Sequence, residues 1–109
     1  MQTLDVRQLQ GFLAEHPQTL LLDVREPWEV QLARLELPGA RSLHLPMMQV
    51  PMRLSEIDAS QPVVCICHHG GRSGQVAMFL SRQGYENAYN LTGGINAWSI
   101  LVDPAVPRY

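Results

Sequence analysis

The sequence predicts an α/β domain in which a central, mainly parallel sheet is flanked by helices. Three observations predict it. Short segments of strand length recur at 19–24, 40–45, 63–67 and 88–91, and the first is a nearly continuous apolar run of the kind expected of a strand buried on both faces. Segments with helical apolar spacing stand between them, and proline or glycine marks most of the junctions. Strand and helix in alternation make a parallel sheet, whose ligands bind at the carboxyl ends of the strands. With 109 residues, 46% of them hydrophobic, the chain suits a single domain over 1–109 with a modest core.

The first element is a helix. Asp5 followed by Gln8 has the form of a capping box, and Val6, Leu9, Phe12 and Leu13 share an apolar face that ends near His16-Pro17. Thr19 to Val24 follows as a strand and stops at the charged stretch Asp23-Val24-Arg25-Glu26. Pro27 suits the first turn of a second helix carrying Trp28, Leu32 and Leu35. Pro38-Gly39 is a turn, Ala40 to Leu45 a second strand, and Pro46 to Ile57 an irregular helical stretch broken by Pro51. Val63 to Cys67 is the third strand, and the glycine loop after it opens a helix from about Arg72 to Gln83, with Gly84 placed to close it. Ala88 to Leu91 is the last strand, Thr92-Gly93-Gly94 a turn, Ile95 to Ile100 the terminal helix, and Asp103 to Tyr109 an extended tail. This order sets the ends of the first and third strands, Asp23 to Glu26 and Cys67, on one rim.

A formal net charge of −2 supplies no basic footprint for nucleic acid and no polybasic stretch for an anionic membrane surface. No run approaches the roughly 18 to 20 apolar residues of a membrane span, and Met1 to Asp5 lacks the basic and apolar regions of a secretory signal. The expected location is cytoplasmic. Cys65 and Cys67 are too few for a disulfide framework, and in a strand they would lie about 6.6 Å apart at Cα, at the edge of disulfide geometry. They are expected to be reduced thiols.

The chemistry centres on Cys67-His68-His69-Gly70-Gly71-Arg72-Ser73. A strand that ends in a glycine-rich turn and opens a helix leaves several backbone N–H groups free, and the helix dipole adds partial positive charge. Such N–H groups can curl into an anion nest. Cys67 stands at its mouth and is the candidate nucleophile, since a negatively charged sulfur is stabilised there. Cys65, between Val64 and Ile66, reads instead as a small core residue. Arg72 would be opposed by the helix dipole, by roughly 0.3 to 1 kcal/mol, unless an anion offsets it. Its placement points to a bound anion, against the alternative of a solvated arginine turned away from the helix.

Other readings of the same residues are weaker. Cys65, Cys67, His68 and His69 are all zinc-binding types, but four ligands within five consecutive positions cannot readily surround one ion tetrahedrally. Gly93-Gly94 lacks the spacing of a dinucleotide fingerprint and reads as a tight turn. Met47, Met48 and Met52 are expected to fill irregular core space, with a contact surface as the alternative, and His16 and His44 read as ordinary surface or turn residues.

Four segments in order resemble the single-domain rhodaneses, a family of sulfurtransferases. They are Leu21-Leu22-Asp23-Val24-Arg25-Glu26 with Trp28-Glu29, Leu37-Pro38-Gly39-Ala40, Val63 to Ser73, and Leu91-Thr92-Gly93-Gly94-Ile95-Asn96-Ala97-Trp98. Together they span nearly the whole chain. The resemblance implies a rhodanese-like three-layer domain, Cys67 as the sulfur-carrying cysteine and His68, His69, Gly70, Gly71 and Arg72, with Ser73 after them, as the loop that cradles it. It implies no metal and no organic cofactor. The loop is Cys-x4-Arg, whereas related cysteine phosphatases and arsenate reductases carry one residue more, and the shorter loop fits a persulfide sulfur better than a tetrahedral oxyanion.

The expected reaction is transfer of a sulfane sulfur from thiosulfate or a similar donor, through a Cys67 persulfide, to a thiophilic acceptor such as cyanide or a thiol. A persulfide carrier within a protein sulfur relay is the alternative, and a phosphatase or arsenate reductase a more distant one. Arg72 would help to hold an anionic donor. Asp23 or Glu26 would orient Arg72, Arg25 would serve the loop or the fold, and His68 and His69 would add donors when protonated or face solvent. Two departures from the family pattern stand out: His68 occupies a position where many members carry arginine, which weakens the local positive field, and Glu36-Leu37 replaces a Gly-His pair before the Pro-Gly-Ala turn.

Overall fold

Parallel pairing joins every strand of the sheet. Its strands are β1 (Gln2–Asp5), β2 (Leu20–Asp23), β3 (Arg41–His44), β4 (Val63–Ile66) and β5 (Ala88–Thr92), in the spatial order β1-β5-β4-β2-β3. The computed structural model describes residues 1–35 and 37–109, so Glu36, one of the departures named above, lies outside the described residues. Around the sheet run α1 (Leu9–Glu15), α2 (Pro27–Leu32), α3 (Gly71–Arg82) and α4 (Gly94–Leu101), with a 3-10 stretch at Met47–Glu56.

The period of two in the strands sorts the core into two layers. Leu20, Leu22, Val63 and Cys65 point to one face, where they meet Val76, Ala77 and Leu80 of α3, Val50 of the 3-10 stretch and Ile57 just after it. Leu21, Val64, Ile66 and Leu91 point to the other, against Leu9 of α1 and Ile95 and Trp98 of α4. Each large apolar side chain removed from water contributes about 1.5 to 3 kcal/mol before the entropy of ordering is subtracted. Burial on both faces explains why the β2 and β4 segments read as continuous rather than alternating.

The connection after β2 leads to β3 on one side, and the connection after β4 leads to β5 on the other. At such a switch point the two loops diverge and leave a crevice at the carboxyl ends of the strands. The segments Asp23 to Glu29 and Cys67 to Arg72 follow β2 and β4 at this end of the sheet and meet where Arg72 bonds to Glu29.

Several expectations need correction. The chain opens with a strand, β1, which escapes sequence reading because only Leu4 of its residues is buried. The capping box at Asp5 and Gln8 is formed, Arg7 N donating to Asp5 Oδ1 at 2.8 Å and Asp5 N to Gln8 Oε1 at 3.0 Å, but it starts a 3-10 turn at Val6–Gln8 that runs into α1. Helix α2 stops at Leu32, so Leu35 lies beyond it. Pro51 sits inside the 3-10 stretch and the backbone departs from helical values at Arg53 instead (φ −123°, ψ 26°). Met48 and Met52 are more than four-fifths exposed and do not fill the core, whereas Met47 packs against it. His44 is not a free surface group: its Nε2 lies 2.7 Å from the carbonyl oxygen of Arg25. The tail is not extended. Val106 N donates to Asp103 O at 3.1 Å, the Val106 side chain is buried, and Tyr109 returns to the rim beside β2 and β4.

Candidate active site

Cys67 directly follows β4, and its sulfur is the focus of three donors. Gly70 N lies 3.1 Å from Sγ, Ser73 N 3.3 Å and Ser73 Oγ 3.2 Å. The first turn of α3 makes this possible, because its leading N–H groups have no intrahelical partner and turn toward the sulfur. Gly70 begins that turn at φ 105°, a left-handed backbone that side chains rarely adopt, and a Cβ there would lie 3.2 Å from Gly93 N.

A second helix holds the loop from behind. Ile95 N and Asn96 N, at the start of α4, each donate at 3.0 Å, to the carbonyl oxygens of Cys67 and His68 respectively. Gly94 is where this contact closes: at φ 58° its bare Cα faces those same carbonyls, and a Cβ would collide with Cys67 O and stand 2.6 Å from His68 O. Asn90 of β5 completes the support, donating from Nδ2 to Gly70 O at 3.0 Å and accepting from Ser73 Oγ at 2.6 Å. The Ser73 hydroxyl has one proton and two acceptors in reach, Asn90 Oδ1 and Cys67 Sγ, so it can turn toward the sulfur when charge develops there.

Arg72 is committed to Glu29. Its Nη1 donates to Oε1 at 2.6 Å and its Nη2 to Oε2 at 2.8 Å, a bidentate pair across the crevice. The Arg72 hydrogen bonds outweigh the cost of burial and hold the Glu29 carboxyl at about 2, well below the usual carboxylate range. The same carboxylate raises the Arg72 guanidinium. Glu29 Oε1 also accepts from Glu26 N at 3.1 Å. The partner of Arg72 is therefore Glu29, and neither Asp23 nor Glu26 orients it; Glu26 lies exposed at the start of α2.

Arg25 serves the fold. Its buried guanidinium bonds to Asp23 (Nη2 to Oδ2, 2.8 Å), to Ala33 O at 2.7 Å, to Glu29 O at 3.2 Å and to the Tyr109 hydroxyl at 2.9 Å. Tyr109 passes the connection on, donating to Glu29 Oε2 at 2.9 Å. Its ring stacks on His68 with centroids 3.8 Å apart and planes 9° apart. His68 in turn lies 3.9 Å from the ring of His69, which is exposed. Burial is the main cause that lowers the His68 imidazole from its usual value.

Cys65 lies fully buried on the same sheet face, where desolvation pushes its thiol up to about 12. Three site residues escaped the sequence reading: Glu29, Asn90 and Tyr109. Asn90 left a signal, a lone amide inside an apolar strand, and Glu29 left its position three residues after Glu26. Nothing in the sequence singles out Tyr109. No helix of the described residues is long and apolar enough to cross a membrane.

The model of the rhodanese-like domain family matches residues 5–101. The chain belongs to that family. Among rhodanese-like relatives, it is 42% identical to a sulfurtransferase of Allochromatium vinosum over 88% of this chain and 86% of the relative. It is 33% identical to thiosulfate sulfurtransferase GlpE of Vibrio cholerae over 87% and 85% of the two chains. It is also 42% identical, over 82% of its length, to a rhodanese-like/PpiC domain-containing chloroplastic protein of Arabidopsis thaliana, of which it spans only 30%. The crystal structure of a rhodanese-like domain protein from Staphylococcus aureus superposes with a TM-score of 0.78 at 26% identity, covering 100% of this chain and 99% of that one.

Proposed function

We propose that this rhodanese-like domain is a sulfurtransferase that moves a sulfane sulfur from thiosulfate or a similar donor to a thiophilic acceptor, cyanide or a thiol, through a Cys67 persulfide. The observation that carries the reading is the convergence of Gly70 N, Ser73 N and Ser73 Oγ on one sulfur atom. Donors aimed at a sulfur stabilise negative charge on it, and fixed backbone dipoles do so without reorganising during reaction. The names of the Allochromatium and Vibrio relatives support the reaction class, and the Vibrio name supports thiosulfate as donor.

In the first half-reaction the Cys67 thiolate attacks the outer sulfur of the donor. A bond forms from Sγ to that sulfur, and the donor's own S–S bond breaks with its electron pair leaving on the remainder, sulfite in the case of thiosulfate. In the second, the acceptor attacks the stored sulfur and the Cys67 thiolate is released. Splitting the transfer in two makes each step easier and separates donor from acceptor in time. The Cys-x4-Arg loop closes on a single sulfur and favours this chemistry over hydrolysis of a phosphate or reduction of an arsenate. A cytoplasmic setting, small donor and acceptor molecules, and delivery within a protein sulfur relay as the alternative complete the proposal.

Intact-mass measurement after exposure to thiosulfate, or to a cysteine desulfurase with cysteine, tests it. Gain of one sulfur atom, mapped by peptide analysis to Cys67 and missing from Cys67→Ser, is the expected result. Absence of any gain from either source, or a gain mapped elsewhere, overturns it. Aryl-phosphate hydrolysis that depends on Cys67 would move the chain to the phosphatases.

A further inference from the structure

The mouth of the site is aromatic, and its cations are already paired. Arg72 places both terminal nitrogens on Glu29, a carboxylate only 4% exposed, and Arg25 is enclosed by Asp23, two backbone carbonyls and Tyr109. Each guanidinium thus meets a carboxylate, and the charges cancel across the crevice. Between Cys67 and Arg72 the loop offers only two histidines and two glycines, and burial favours the neutral form of His68. A dianion approaching a thiolate there finds no free guanidinium in the loop to offset the repulsion.

Beside this lies a continuous run of rings. Trp28, which is 59% exposed, meets Tyr109 edge to face at 6.0 Å, and Tyr109 stacks on His68, which contacts His69. The Nε2 atom of His68 is buried with no hydrogen-bond partner among the described residues. A run of aromatic rings beside guanidinium groups that are already paired suits an uncharged organic group.

We propose that this mouth selects an organic persulfide, R–S–SH, whose R group carries no charge, over a small dianion such as thiosulfate, with Tyr109 and His68 as the residues that set the preference. The proposal rests on the sulfurtransferase reading above and names its donor class. The step balances without a further reagent: the Cys67 thiolate forms a bond to the outer sulfur of R–S–SH, the S–S bond of the donor breaks, R–S⁻ leaves with the electron pair, and the proton stays on the transferred sulfur. The product is Cys67–S–SH and one thiolate is exchanged for another, so no charge accumulates in the site. With thiosulfate the leaving group is a dianion in a mouth with no free guanidinium in its loop.

The experiment measures the rate at which one sulfur adds to Cys67 by intact mass, with two donors, thiosulfate and the persulfide of N-acetylcysteine amide. Each rate is divided by that of free cysteine with the same donor, which removes intrinsic reactivity. The expected ratio favours the persulfide by at least about tenfold, and the thiosulfate rate rises with added salt as like-charge repulsion is screened. Tyr109→Ala should slow the persulfide at least about fivefold more than it slows thiosulfate, through lost aromatic contact. His68→Arg should speed thiosulfate by about tenfold, through the added positive charge, and slow the persulfide, through loss of the ring stacked on Tyr109. Opposite shifts in two variants are not produced by loss of folding. Equal normalised rates for the two donors, a thiosulfate rate that falls with salt, or variants that move both donors together would each overturn the donor preference. Failure of both donors to load Cys67 would instead overturn the sulfurtransferase reading.

Discussion

Arg72 and Glu29 tie the loop after β4 to helix α2 through two parallel hydrogen bonds, Nη1 to Oε1 at 2.6 Å and Nη2 to Oε2 at 2.8 Å. The pair has a pH signature. The Glu29 carboxyl is lowered from its ordinary 4.5 to about 2 in the folded protein, chiefly by hydrogen bonds from Arg72. A carboxyl depressed by folding adds stability that is fully present above its unfolded value and is lost as pH falls through its folded one. The window is therefore pH 4.5 down to 2, and the loss is at most about 3 kcal/mol, since Arg72 is itself partly open to solvent screening. Replacing Arg72 by Ala should return the Glu29 carboxyl toward 4.5 or above and move acid unfolding, followed by circular dichroism, to higher pH. Superimposable acid titrations of the two proteins would remove the pair from the stability of the loop.

The two cysteines separate cleanly by environment. Cys67→Ser should lose at least 99% of sulfur transfer to cyanide, following the loss of the stored persulfide. Cys65→Ala should keep most of it while costing about 1 to 2 kcal/mol in a urea melt, because its thiol packs in the core and does not ionise at neutral pH. Activity in the Cys67 variant equal to that of the parent would defeat the mechanism.

Ser73 supplies both a backbone and a hydroxyl donor to the sulfur, and Asn90 steers the hydroxyl. Ser73→Ala keeps the backbone bond and removes the other. A hydrogen bond to a charged group contributes about 1.5 to 3 kcal/mol, so the rate of sulfur loading onto Cys67 should fall by about tenfold or more. Loading at the parent rate would mean that the hydroxyl stays on Asn90 throughout.

Gly94 and Gly11 make a paired test of backbone against propensity. A Cβ at Gly94 collides with the loop carbonyls at φ 58°, so Gly94→Ala should cost roughly 2 to 4 kcal/mol and slow sulfur loading by displacing Cys67. At Gly11, inside α1, a Cβ meets nothing within 4 Å, and Gly11→Ala should gain roughly 0.5 to 1 kcal/mol. Thermal melts with van't Hoff analysis check both, and a Gly94→Ala protein as stable as the parent would contradict the close approach of α4.

Much of the fold was legible because buried parallel strands such as β2 and β4 write themselves as apolar runs, and β2 to β5 all fall within one or two residues of the segments that predict them. Strand β1 was not, since an edge strand with one buried side chain carries too little pattern to register. The loop from Cys67 to Ser73 was legible because its chemistry is contiguous in sequence. Its supports were not. Glu29, Asn90 and Tyr109 come from 38 residues before Cys67 to 42 after it, and only the packing of α2, β5 and the tail at one crevice brings them together. Arg72 shows the same limit: the sequence reveals a cation at a helix start but not that a buried carboxylate on another element occupies it.

Strand β5 lies between β1 and β4, so the last strand to be synthesised joins the first to the rest of the sheet. Until the ribosome has released residues 88–92, β1 has no neighbour, the open side of β4 is a bare edge, and neither Asn90 nor the start of α4 is available to brace the loop. Between the synthesis of Cys67 and that of β5 the growing chain therefore carries the cysteine in an unassembled pocket, with its sulfur unprotected from oxidants and its strand edge open to other chains. Completion of the reactive site and closure of the sheet are one event, which ties the appearance of a sulfur-binding pocket to the presence of a closed sheet.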